Sequence, residues 1–318
     1  MKRVWILLVA SALFAADLSI WKRPKNHFDN SDSKEIIELG AMLFFDPRLS
    51  KDDSVSCGDC HVPYLYWTDG RSKAKGIKNK IGRRNTPTII NVRYLSRFFW
   101  DARASSLEEQ AWGPITDEKE MGSSQEEVIK KLKSIKGYAQ RFKKLFPNEG
   151  ISKKTVAVAL AAFQKSIVSA ETPFDRWVEG KENLHEKAIK GYEIFVGKGR
   201  CVSCHSGYNF TNESLNNIAL GDADRGFYDV SKNPIWLYAF KTPTLRNVEM
   251  TAPYFHDGSA KTLFEAVYIC GNGGRFEDIP RSPFFRDRGL SLEEVELVVE
   301  FLKSLTEPRP LYVPPKLP

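Results

Sequence analysis

The sequence predicts a mainly α-helical protein made of two related units, and three observations carry that expectation. Apolar residues recur at helical spacing in several long stretches, strand-like alternation is scarce, and a segment of the first half returns in the second. "SKKTVAVALAAFQKSIV" puts Val156, Leu160, Phe163 and Ile167 on one helical face, and "SLEEVELVVEFLKSL" does the same with Leu297, Val298, Phe301 and Leu305. "DSKEIIELGAMLFFDP" opens on an Asp32 cap with Glu35 behind it and closes at Asp46-Pro47. "TPTIINV" at 86–92 answers "TPTLRNV" at 242–248, and at the same offset of 156 "FWDARASSLEE" lies over "FHDGSAKTLFE" without a gap. Thr86, Pro87, Thr88, Asn91, Val92, Phe99, Asp101, Ala104, Leu107 and Glu109 are identical to their counterparts, ten of 24 positions, which points to duplication. Ser106 with Glu109, and Thr262 with Glu265, repeat one capping signal, so each copy is expected to start a helix there.

At 318 residues the chain is long enough for two domains with separate cores. The opening "MKRVWILLVASALFAAD" has Lys2 and Arg3, then an apolar run from Val4 to Ala16 that is short for a membrane span; it reads as an export signal over 1–16. The remaining organisation is expected as an N-terminal domain at 17–170, a linker at 171–183, a C-terminal domain at 184–307 and a proline-rich extended tail at 308–318. The net charge of +7 suits docking with an acidic redox partner, while the scattered Lys and Arg form no nucleic-acid motif.

The chain holds only five cysteines and five histidines, yet "CGDCH" at 57–61 and "CVSCH" at 201–205 use four and two of them. Two thiols three apart followed at once by histidine is the attachment pattern of c-type haem: Cys57 and Cys60, then Cys201 and Cys204, would bond the macrocycles, with His61 and His205 on the irons. A zinc knot would gather four ligands, and a redox dithiol has no use for a histidine in that place twice. Two covalently bound haem c groups are therefore expected, and export agrees with them by placing the protein in the periplasm.

The paired haem motifs, the repeat and the signal, with "LGAMLFFDPRLS", "WTDG", "GRRNTPT", "FFWDARASSLEEQAWGPITDEKEM" and "KTPTLRNVEMTAPYFHDG", resemble the bacterial di-haem cytochrome c peroxidases, including the MauG-type enzymes. The resemblance covers nearly all of the chain after the signal. It implies two cytochrome c-like haem domains facing a shared interface, hydrogen peroxide as substrate at the N-terminal haem, and electrons passed through the C-terminal haem. It also implies catalytic roles for Gln110 and Glu120, ten residues apart as in the family, and a relay role for Trp100 between the haems. Peroxide heterolysis needs a group that moves a proton from the inner to the outer oxygen, and a carboxylate such as Glu120 does this. One calcium ion on Asn85, Thr251 and Pro253, and a homodimer, are further implications; oxygen ligands suit calcium.

Two positions depart from the family pattern. Many members carry a histidine eight residues before the asparagine of "RNTPT", which blocks the first iron until reduction; here that position is Ile77, and no histidine lies between His61 and His185. A first haem that meets peroxide without prior reduction is expected, as in the MauG-type enzymes. Where members place methionine or tyrosine on the second iron, this chain has Cys270, opposite Pro114 in the repeat. A His205/Cys270 pair would lower that iron's potential relative to His/Met; a buried free thiol is the alternative, with Met250 a competing ligand. Three functions stay open at this point: a peroxidase fed by a small c-type cytochrome or copper protein, a MauG-like enzyme that oxidises a partner protein, and a non-enzymatic electron carrier or redox sensor.

Overall fold

A computed structural model describes residues 18–24, 33–221, 223–308 and 311–318. The export signal read at 1–16, Asp32 and His27 lie outside these residues. The described chain is mainly helical, with one short antiparallel pairing of Leu215–Asn216 with Phe240–Lys241, Leu215 opposite Lys241.

Two apolar cores are present. The first is organised by helices Lys34–Phe44 and Lys153–Ser166, the second by Glu186–Val196 and Leu292–Lys303, each pair in extensive contact. The caps explain the starts: Ser33, rather than Asp32, accepts from Ile36 N, Ser152 from Thr155 N, and Ser291 from Glu294 N. Val156, Leu160 and Phe163 lie in the first core as their spacing predicts, but in the last helix Val295 takes the buried place expected of Leu297.

Both helix pairs cross on a glycine. A Cβ added at Gly40 would stand 1.9 Å from the Ala159 carbonyl oxygen, and one at Gly191 would stand 1.9 Å from that of Leu297. Gly→Ala within a helix ordinarily gains up to about 1 kcal/mol. Gly191→Ala is expected to reverse that sign, because the neighbour is backbone and the helices must separate, costing on the order of 1–3 kcal/mol or more. Urea unfolding checks it: a midpoint at or above the parent's would contradict the close crossing.

Positions 156 apart share local geometry. Phe98 N donates to Ala104 O (2.9 Å) and Tyr254 N to Ala260 O (2.8 Å). Asn91 and Asn247, both fully buried, have φ of 64° and 60°, and Phe99 and Phe255 have 68° and 71°. Helices begin at Leu107 and Leu263, capped by Ser106 and Thr262 as expected, but the glutamates reach one residue further back, Glu109 accepting from Ser105 N and Glu265 from Lys261 N.

The segment 171–183 contains structure that its lack of periodicity hid. Thr172 and Asp175 cap each other around a helix at Pro173–Val178, and Phe174 is wholly buried in the second core. Asp175 also receives the buried Arg246 at 2.8 Å. The chain ends exchange places: Trp21 is buried in the second core, whereas Tyr312 and Leu317 of the tail pack on the first. The tail carries no regular structure over 311–318, and its Pro318 carbonyl accepts from Arg48 at 3.1 Å.

Candidate functional site

Both CxxCH stretches open onto one cavity of about 580 Å³ between the cores. Cys57–Cys60 forms a single helical turn, its start fixed by Ser56 N donating to Asp59 at 2.7 Å; Cys201–Ser203 is a short 3-10 turn. His61 Nδ1 lies 3.0 Å from the Trp67 carbonyl and His205 Nδ1 2.9 Å from that of Phe210. With Nδ1 donating there, Nε2 is the ring nitrogen that would bind a metal, and the backbone of Pro87 also reaches the His61 ring and that of Pro243 the His205 ring. Burial pushes both imidazoles down, His205 to about 4, so both are neutral, which is the ligating form. Burial also pushes the Cys57, Cys60 and Cys201 thiols up to about 12, and Cys204 upward as well. A reactive redox dithiol has the opposite tuning.

The donor set and walls fit a macrocycle in each half. Phe44, Ile89 and Leu160 line the first part, and Phe195, Leu245 and Val298 the second. Lys241, 8 % exposed and making no ion pair among the described residues, faces the cavity, as does Thr86, whose buried hydroxyl lacks a hydrogen-bond partner. A buried cation of this kind is costly unless an anion meets it, and a haem propionate is such an anion.

Gln110, at the end of the Leu107–Gln110 helix, Pro114 and Glu120 line the same cavity as the first CxxCH stretch. Burial, reinforced by Asp117 and opposed by Arg103, raises the Glu120 carboxyl to about 7. The backbone of Glu120 is fixed by the loop that carries Ile77: Ile77 N donates to Glu120 O at 2.8 Å, and a Cβ on Gly76 would stand 2.6 Å from Glu120 Cα. Ile77 itself is buried, its Cδ1 2.4 Å from where a Cβ on Gly122 would fall, and does not line the cavity.

Trp100 lies on the cavity wall between the two halves. Its Nε1 donates to Asn85 O at 2.9 Å, its carbonyl accepts from Lys241 N at 2.8 Å, and its ring meets His256 edge-on at 6.4 Å. His256 stacks on Phe240 at 3.7 Å, and burial holds its imidazole down to about 4. Asn85, Thr251 and Pro253 border the cavity too; Asn85 Nδ2 donates to Arg71 O at 2.7 Å, which leaves its Oδ1 as the side-chain acceptor suited to a hard cation.

Cys270 sits on the Leu263–Gly271 helix and lines the second part of the cavity; burial, with Cys201 and Cys204 nearby, pushes its thiol up to about 12. Met250 is 45 % exposed and off the cavity wall, so it is not the competing ligand it could have been. His185 caps the Glu186–Val196 helix at the surface. Sequence reasoning missed Arg103, whose guanidinium lies 3.4 Å from the Phe99 ring centroid and pairs with Asp101, as well as Lys241 and the 284–288 loop that borders Cys270. The offset repeat held one clue, since Arg103 replaces a serine there.

Comparison with known proteins agrees with this arrangement. The family described as di-haem cytochrome c peroxidase matches residues 34–183. The chain is 41% identical to "Methylamine utilization protein MauG" of Methylorubrum extorquens over 90% of this chain and 82% of that protein. It is 38% identical to "Cytochrome c551 peroxidase" of Nitrosomonas europaea over 90% and 84%. Among solved structures, a MauG-like protein associated with microbial copper homeostasis aligns with a TM-score of 0.80 at 28% identity, covering 90% of this chain and 92% of that one. The chain belongs to the di-haem cytochrome c peroxidase family. It is a haem-containing oxidoreductase acting on peroxide.

Proposed function

We propose that this is an exported peroxidase of two duplicated cytochrome c-like domains that reduces hydrogen peroxide to water at the N-terminal haem, with electrons relayed from the C-terminal haem past Trp100. Each domain would hold its haem covalently, through Cys57, Cys60 and His61 or Cys201, Cys204 and His205, and a calcium ion would rest on Asn85, Thr251 and Pro253. The observation that carries the reading is a carboxyl poised at about 7 on the wall of the cavity that receives the first CxxCH motif. When bound, the first haem supplies an iron that takes up peroxide and accepts its oxidising equivalents. Glu120 takes the proton from the inner peroxide oxygen and returns it to the outer one, which departs as water. Gln110 orients the peroxide through its amide. No described helix is long and apolar enough to cross a membrane.

The pH dependence follows from Glu120. The carboxylate is the proton-accepting form, so kcat/KM for peroxide is expected to rise through about pH 7 and to fall about tenfold per unit on the acid side. Arg103 favours that carboxylate, so Arg103→Gln is expected to move the limb to higher pH. A pH profile flat from 5 to 9 in both proteins would remove Glu120 from the proton step.

A second reading, oxidation of a partner protein, draws on Cys270: a thiolate on the second iron would disfavour its reduction by a small donor. Turnover with small c-type cytochromes or copper proteins would support the first reading, and covalent oxidation of an added protein without such a donor the second.

A further inference from the structure

We propose that Trp67 and Tyr312 form an electron route from the proximal side of the first haem site to the C-terminal tail, refilling that site when the second haem delivers no electrons. The inference rests on the reading of the first site as the one that meets peroxide. Trp67 is 2 % exposed, and its carbonyl accepts from His61 Nδ1 at 3.0 Å, so one residue both orients the histidine that would hold the iron and carries an indole. Tyr312 packs on that indole with ring centroids 5.3 Å apart, and stacks on Phe45 at 5.6 Å and 18°. Its neighbours Leu311 and Val313 are 94 % and 87 % exposed, so of these three Tyr312 is the one that turns inward.

The second half supplies the contrast. There the His205 Nδ1 partner is Phe210, and the ring stacked on it, at 4.6 Å and 19°, is Trp21 from the other end of the chain. Orientation of the histidine therefore needs only a carbonyl, and filling of the core needs only a ring. The half assigned to peroxide has oxidisable indole and phenol in series; the other places a phenyl, which is hard to oxidise, next to its histidine. In each pass the site gains one electron from Trp67, Tyr312 returns one to Trp67 and gives its phenolic proton to solvent, and a neutral tyrosyl radical remains. A phenolic or similar one-electron reductant restores Tyr312. Two passes supply two electrons and two protons, and hydrogen peroxide becomes two waters.

The test mixes oxidised holoprotein with a few equivalents of peroxide and no donor, then reads freeze-quench EPR, peptide oxidation maps and peroxide consumption in parallel. The parent is expected to give a tyrosyl radical. Tyr312→Phe, which keeps the ring, is expected to lose that signal and to raise oxidation of the Trp67 peptide several-fold, whereas Trp21→Phe leaves the signal in place. Peroxide consumed by a parent whose radical persists unchanged in Tyr312→Phe overturns the route and spares the peroxidase reading. A parent that leaves peroxide unconsumed overturns both.

Discussion

Replacing Glu120 with glutamine is expected to lower kcat/KM for peroxide by about 10²–10⁴-fold, the usual contribution of a positioned acid/base, or on the order of 3–5 kcal/mol of barrier. Glutamine has nearly the same shape, so the backbone contacts with Ile77 and the haem content should persist. What disappears is a group that can be carboxylate when peroxide arrives and acid when the outer oxygen leaves. Glu120→Asp should recover part of the rate by keeping the chemistry while shortening the reach. The result is checked by steady-state peroxide consumption, together with haem content and the Soret spectrum to separate chemistry from loss of cofactor. A Glu120→Gln enzyme within about threefold of the parent, fully loaded, would take the proton step away from this residue.

Cys270→Met is expected to change the second site as sharply while leaving the first alone. Burial by itself keeps Cys270 a protonated thiol; a ferric iron would displace that proton, since a coordinating thiol is deprotonated outright. Oxidised holoprotein should then show a thiolate-type low-spin EPR signal beside a high-spin one. The variant should lose the former, and its second haem should rise in potential by on the order of a few hundred mV, within the span that axial ligands command. An unchanged low-spin signal would leave Cys270 as a buried thiol with no iron.

What could be read from the chain beforehand was what is local in sequence. The CxxCH motifs, the helix faces of Val156, Leu160 and Phe163, and the caps at Ser106 and Thr262 each fit within a few turns. What escaped depends on cover supplied from elsewhere. By its neighbours in "DEKEM", Glu120 reads as a solvated surface charge, and only the family resemblance singled it out; it is half-buried, with the loop around Gly76 and Ile77 lying on its backbone. The helix at Pro173–Val178 has too few residues to show a period, and only its Thr172 and Asp175 caps announced it. The exchange of chain ends rests on two aromatic residues, Trp21 and Tyr312, in segments with no pattern of their own. Lys241 gave no signal, since a lone lysine in a short strand marks a buried site only once the cavity around it is known.

The most direct test is stopped-flow mixing of fully oxidised holoprotein with hydrogen peroxide, with no reductant added beforehand. With Ile77 at the position where the family resemblance implies a blocking histidine in other members, the N-terminal haem should react at once, its Soret band changing at a rate proportional to peroxide. If the oxidised protein is inert and reacts only after taking up one electron, the first site is closed at rest and the account fails.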